Sequence, residues 1–174
     1  YPKEVINNHV TFQVHISERL PEIIVSDPWR LRQIISNLLT NAFKFTKQGK
    51  VSLSIAPHEN RMNSDGTPSI NIEIKDSGCG IDPQFQPHVF TPFRQEDNSH
   101  ALGRTGAGLG LAISKRLAEL LNGSLTFTSA VGKGSVFSLC VPYSLPQERE
   151  LNDTRNTTKL PPSNSSRSEE HTSE

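Results

Sequence analysis

The chain has 174 residues, enough for one domain plus an appendage, since single domains commonly run to about 100–150 residues and bury a real core at that size. Lys plus Arg and Asp plus Glu balance at 18 each, which excludes a global field that would recruit nucleic acid or an anionic membrane surface, so any phosphate site must be local. Cys79 and Cys140 make neither a disulfide framework nor a metal-ligand spacing, and no apolar run approaches the roughly 20 residues of a membrane-spanning helix; a cytoplasmic fragment without direct membrane contact is expected, whatever anchors its parent.

In chain order, His9 to Ser17 alternates Val10, Phe12, Val14 and Ile16 with polar residues, the period-two pattern of a half-buried strand. Asp27-Pro28 then starts a helix, with Asp as N-cap and Pro at the first helical position. Leu31, Ile34, Ile35, Leu38, Leu39 and Ala42 follow at helical spacing as its buried face, and Lys47-Gln48-Gly49 ends it. Val51, Leu53 and Ile55 alternate, a turn covers Asn60 to Pro68, and Ile70, Ile72 and Ile74 alternate again, which predicts a hairpin. A second long helix is expected from Ala107 to Leu121, closed by Asn122-Gly123, and two last strands over Leu125–Thr128 and Ser135–Val141. Such a set predicts an α+β fold, a two-layer sandwich of a mixed sheet on about three helices. From Ser144 onward the composition turns to Ser, Asn, Thr, Pro and charge, so 144–174 is expected to be a disordered tail. Its last eight residues, Arg167 to Glu174, resemble the in-frame translation of a sequencing-adapter oligonucleotide.

Three segments carry chemistry. On the first helix, Asn37, Asn41 and Lys44 project from one stripe beside the apolar face. A carboxamide oxygen suits Mg²⁺, which keeps several waters and shares phosphate oxygens, and a lysine adds a point charge for those phosphates. Asp76-Ser77-Gly78-Cys79-Gly80-Ile81 follows a strand, where a carboxylate can accept from an exocyclic amine such as that of adenine and two glycines permit a tight turn. Gly103-Arg104-Thr105-Gly106-Ala107-Gly108-Leu109-Gly110-Leu111 runs into an apolar helix, exposing backbone N–H groups to an anion. Each segment alone is an ordinary solvated helix face or turn. The last is neither a Rossmann fingerprint, since no strand leads into it, nor a P-loop.

Taken together and in order, these segments resemble the N, G1 and G2 boxes of histidine-kinase catalytic domains. Arg30 to Thr46 is similar to the N-box helix almost residue for residue, Phe90-Thr91-Pro92-Phe93-Arg94-Gln95 resembles the F box, and Gly132-Lys133-Gly134-Ser135 resembles a further glycine box. The resemblance spans Val10 to Pro142. It implies an N-terminal linker over 1–9 from a missing dimerisation domain, and an ATP-binding catalytic domain over 10–143 with the sandwich fold shared with type II topoisomerases, heat-shock chaperones and mismatch-repair ATPases. By the same resemblance, Asn41 helped by Asn37 would hold Mg²⁺, and Lys44 would touch the ATP phosphates. Asp76 would accept from the adenine amino group, Gly78 and Gly80 would leave room for the base, and Gly106, Gly108 and Gly110 would cradle the phosphates. Ile81, Phe93, Thr105, Ala107, Leu109, Leu111 and Ser135 would complete the nucleotide contacts, and residues 95–105 would form a mobile lid containing Asn98, Ser99 and Gly103. Ala107 stands where the family often has Thr or Ser.

Among fold relatives that hydrolyse ATP, a glutamate stands four residues before the metal-binding asparagine; here that place is Asn37, which cannot activate water. ATP is therefore expected to be held for transfer to a histidine. The acceptor is expected on a separate dimerisation domain of the same parent, because His9 and His15 lie in a strand pattern and His58, His88, His100 and His171 are scattered. The F-box wording is most like hybrid sensor kinases, which implies a response-regulator receiver downstream. A slow ATPase and a non-catalytic nucleotide sensor are the alternatives.

Overall fold

The computed structural model describes residues 3–7, 9–58, 66–94 and 108–146. Its strands are β1 (Lys3–Asn7), β2 (Val10–Ile16), β3 (Gly49–Pro57), β4 (Ser69–Asp76), β5 (Ser124–Ala130) and β6 (Gly134–Pro142), and they form one sheet in the order β1-β2-β3-β4-β6-β5. Strands β2 and β3 run parallel because α1 (Pro28–Phe45) carries the chain from one to the other; every other pairing is antiparallel, so the sheet is mixed. The expected hairpin is β3–β4, with Leu53 opposite Ile74 and Ile55 opposite Ile72.

Helix α1 starts where its sequence requires. The Asp27 carboxylate accepts from the Trp29 and Arg30 amides at 3.0 Å each, satisfying two of the donors that a helix start leaves open. Of the six residues expected on its buried face, Ile34, Leu38 and Ala42 are buried, while Leu31, Ile35 and Leu39 are only partly covered. Helix α2 (Gly110–Leu120) packs beside α1 on the same face of the sheet. It begins later than the expected Ala107, which lies outside the described residues. At its other end the left-handed residue is Asn122 (φ 55°), and Gly123 donates to Ala118 O at 2.9 Å; asparagine tolerates that backbone almost as well as glycine.

Two described segments carry secondary structure beyond the expected bounds of the domain. Residues 1–9, read as a linker, contain β1, with Lys3 opposite Val14 and Asn7 opposite Val10. The outer edge of β2 presents unpaired backbone groups, and this segment satisfies them. The described residues hold two α-helices and one 3₁₀ turn at Gln86–His88. Ser144, read as the first residue of the tail, exchanges two backbone hydrogen bonds with Val25 (2.8 and 3.1 Å). Residues 147–174, and with them the adapter-like end, lie outside the described residues.

The register of the central strands positions the site. On β4, Ile70, Ile72, Ile74 and Asp76 alternate onto one face, opposite Val141, Leu139, Phe137 and Ser135 of β6. The three isoleucines, Leu139 and Val141 are almost fully buried, and Ile34, Leu38 and Ala42 of α1 belong to the same core. Asp76 is therefore the polar last member of an apolar row, held where the row meets the loops.

Candidate functional site

A cavity of about 250 Å³ opens where α1, the end of β4 and the start of α2 converge. That volume suits a small organic molecule better than a few waters. Its apolar wall comes from Ala42, Phe45, Ile81, Phe85, Val89, Leu109, Leu111 and Phe137, and its polar groups are Asn41, Lys44, Asp76, Arg94 and Ser135.

Asp76 is 6% exposed, and burial pushes its pKa upward. Backbone amide bonds from Gly78 and Ser135 favour the ionised form but do not offset that burial. The Gly78 amide donates to Oδ1 at 2.9 Å, which orients the carboxylate. Beyond it, the turn is pinned to the far end of the sheet. The Ile81 amide donates to Ser129 Oγ (2.9 Å), Gln86 Nε2 donates to Ile81 O (3.1 Å), and the hydroxyls of Ser129 and Ser135 lie 3.0 Å apart.

The glycines of this turn are also required by the fold. A Cβ on Gly78 would stand 2.4 Å from Phe45 O, and one on Gly80, whose φ is +72°, 2.1 Å from Ala130 O. Both are required because the turn packs backbone against backbone, on the end of α1 and on the β5–β6 hairpin. Gly80 and Ala42 both line the cavity.

Asn41 and Lys44 from the last turns of α1 line the same cavity as Gly108, Leu109, Gly110 and Leu111. Asn37 binds protein groups. Its Nδ2 donates to Gly110 O and to the fully buried Ser114 Oγ, both at 3.3 Å, and its Oδ1 accepts from Gln33 Nε2 at 3.3 Å. These bonds fasten the start of α2 to α1.

Of the residues singled out from the sequence, Asn41, Lys44, Asp76, Gly80, Ile81, Gly108, Leu109, Gly110, Leu111 and Ser135 line one cavity. Asn37, Gly78 and Phe93 do not. Phe93 adopts φ 60° and is 76% exposed, so its ring leaves the site and its neighbour Arg94 enters it. Thr105, Gly106, Ala107 and the expected lid lie outside the described residues. The sequence reading missed Ala42, Phe45, Phe85, Val89, Arg94 and Phe137. A signal existed for Phe45, which stands four residues after Asn41 and so shares its side of the helix; none existed for Phe137, whose place depends on its pairing with Ile74.

Known proteins repeat this arrangement. The profile of the histidine kinase-, DNA gyrase B- and HSP90-like ATPase family matches residues 26–145. The chain is 37% identical over 150 residues to hybrid signal transduction histidine kinase A of Dictyostelium discoideum, covering 80% of this chain and 7% of that protein. To the sensor protein TorS of Escherichia coli it is 42% identical over 127 residues, 73% of this chain and 13% of that one. The chain thus spans a small part of the length of these relatives. Among solved structures, full-length ShkA in complex with AMPPNP superposes with a TM-score of 0.65 at 31% identity, covering 79% of this chain and 26% of that one. With a sheet, helices and polar cavity of this kind, the chain belongs to the histidine kinase-, DNA gyrase B- and HSP90-like ATPase family, as an ATP-binding domain of the kind found in hybrid sensor histidine kinases.

Proposed function

We propose that the domain binds Mg²⁺-ATP and presents its γ-phosphoryl group to a histidine on a separate dimerisation domain of the same parent, with a response-regulator receiver further downstream. One observation carries this reading: a single cavity brings together a buried carboxylate, Asp76, and the carboxamide of Asn41, the amine of Lys44 and the residues leading into α2. A nucleotide needs both kinds of polar group, an acceptor for its base and donors and cations for its phosphates. Asp76 accepts from the exocyclic amine, and Ile81, Phe85, Val89 and Phe137 surround the base.

The metal reading fits the donor set. Among the described residues there is no cluster of His, Cys, Asp and Glu that would hold an ion by itself. An ion retained by the Asn41 carboxamide oxygen, phosphate oxygens and water is the mode Mg²⁺ favours. Asn37, with its amide nitrogen held by Gly110 and Ser114, supports the site chiefly through the start of α2. When bound, Mg²⁺ would neutralise charge on the phosphate oxygens. Lys44 adds a second positive charge, and the apolar walls exclude water from the base.

In the transfer, the bond between the γ-phosphorus and the β–γ bridging oxygen breaks as an imidazole nitrogen bonds to phosphorus, and ADP leaves with the electron pair. Asp76, at the base end, is the only carboxylate among the described cavity residues, so none is placed to activate water. None of the four described histidines lines the cavity, which favours an acceptor brought by another domain. The test is incubation with labelled ATP, with and without a separately supplied histidine-bearing dimerisation domain. Label is expected on that domain, with little hydrolysis and no label on this chain. Rapid phosphate release instead would establish the ATPase reading, and tight binding without either outcome would establish the sensor.

A further inference from the structure

We infer that Arg94 is a second phosphate-binding cation of the cavity, opposite Lys44, and that it makes the site selective for the charge of the phosphate chain. The inference rests on the nucleotide reading and adds to it a residue that the sequence passed over in favour of Phe93.

Backbone geometry places Arg94 at the phosphate end. The Phe93 amide donates to Gly108 O at 3.1 Å, and a Cβ built on Gly108 would stand 2.8 Å from Arg94 O. The backbone of Arg94 therefore lies against the residues that lead into α2. The left-handed conformation of Phe93 is uncommon for an aromatic residue, and it reverses which of two neighbouring side chains meets the cavity. Phe93 turns out to 76% exposure, and Arg94 joins the lining.

Chemistry supports the same assignment. A triphosphate brings several negative charges, while the described lining otherwise holds one cation, Lys44, and one acid, Asp76. Lysine is a point charge, whereas a guanidinium offers a planar fork that matches two phosphate oxygens at once. Arg94 is solvent-exposed in the ligand-free domain, so its charge carries little desolvation cost until a phosphate arrives. Lys44 from the last turn of α1 and Arg94 from the segment before α2 then reach the phosphate chain from two walls.

The experiment measures calorimetric affinities of the whole chain and of Arg94→Gln and Arg94→Lys for Mg²⁺-ATP, ADP and adenosine. Arg94→Gln is expected to weaken ATP about ten- to hundredfold, the range of a hydrogen bond to a charged group, and to leave adenosine within about twofold. Arg94→Lys should recover part of the loss, and raising salt should reduce the difference between parent and Gln variant. The ADP series reports whether the contact reaches the last phosphate. Equal losses for ATP and adenosine, or an unchanged ATP affinity, would overturn the assignment while leaving the nucleotide reading in place. A parent chain that binds neither ATP nor adenosine would remove the nucleotide reading itself, and Arg94 with it. Melting temperatures of the variants should match the parent, since the side chain is exposed.

Discussion

The two ends of the cavity are built by different physics. At the Asp76 end, strand register does the positioning: the carboxylate is one step past Ile74 on β4, opposite Ser135, and its Oδ1 is already held by the Gly78 amide. At the other end, Asn41, Lys44 and Arg94 come from a helix and a turn, and the fastening is two 3.3 Å bonds from Asn37 to the start of α2. Asp76 is buried and hydrogen-bonded within the fold, whereas Arg94 is exposed to solvent. Under the proposed function, a base would meet a carboxylate that is already oriented, and phosphates would meet donors and charges that the ligand draws together.

The largest effect should come from breaking the second end chemically without touching the fold. Asn41→Asp should leave the melting temperature near the parent's but slow phosphoryl transfer to a supplied histidine domain by roughly a hundredfold, since about 1 Å of misplacement at the reacting centre has that effect. Transfer at the parental rate would show that Asn41 is not the metal ligand.

Asp76→Asn tests the first end, and there pH sharpens the contrast. The variant should lose about 1–3 kcal/mol of ATP affinity, from an amine left badly matched. The raised pKa of Asp76 means that the folded domain takes up this proton more readily than the unfolded chain does. Ionised Asp76 therefore lowers stability at neutral pH, and that cost disappears as pH falls through the folded value. The melting temperature of Asp76→Asn at neutral pH should accordingly be no lower than the parent's. ATP binding runs the other way: the parent's affinity should fall as pH drops through the raised value, starting above the ordinary carboxylate range, and the variant should lack that step. Parallel pH profiles for the two proteins would reject Asp76 as the reader of the base.

The smallest effect concerns the fastening. Asn37→Ala strips the 0% exposed Ser114 hydroxyl and Gly110 O of a donor, so about 1 kcal/mol of stability should be lost in denaturant unfolding. Asn37→Asp keeps the size and an acceptor but loses the donor, and it should lose a similar amount. If neither variant changes stability while both abolish Mg²⁺ dependence, Asn37 is a metal ligand first and a fastener second.

Much of this was legible along the chain because its causes are local. Asp27-Pro28 starts α1 with a cap that needs only the next three residues, and the alternations at Val51–Ile55 and Ile70–Ile74 mark strands whatever lies beside them. The segments carrying Asn41, Lys44 and Asp76, each ordinary alone, stood out through their order and separation along the chain. Less visible were β1, whose five residues are too few for a periodic signal and which exists because β2 has an open edge, and the fold's own need for Gly78 and Gly80, which is the nearness of Phe45 and Ala130.

The sequence by itself thus determined the element types, the family and the candidate polar residues, since periodicity, capping and side-chain chemistry belong to short stretches of chain. Only the tertiary structure decided which of those residues share a cavity. Asn37 meets Ser114 across 77 positions of sequence, Asp76 gains its burial from β3, β6 and α1 together, and a single left-handed residue turns Phe93 out and Arg94 in. Such outcomes depend on contacts between distant segments, which form only when the sheet register and the packing of the two helices are settled at once.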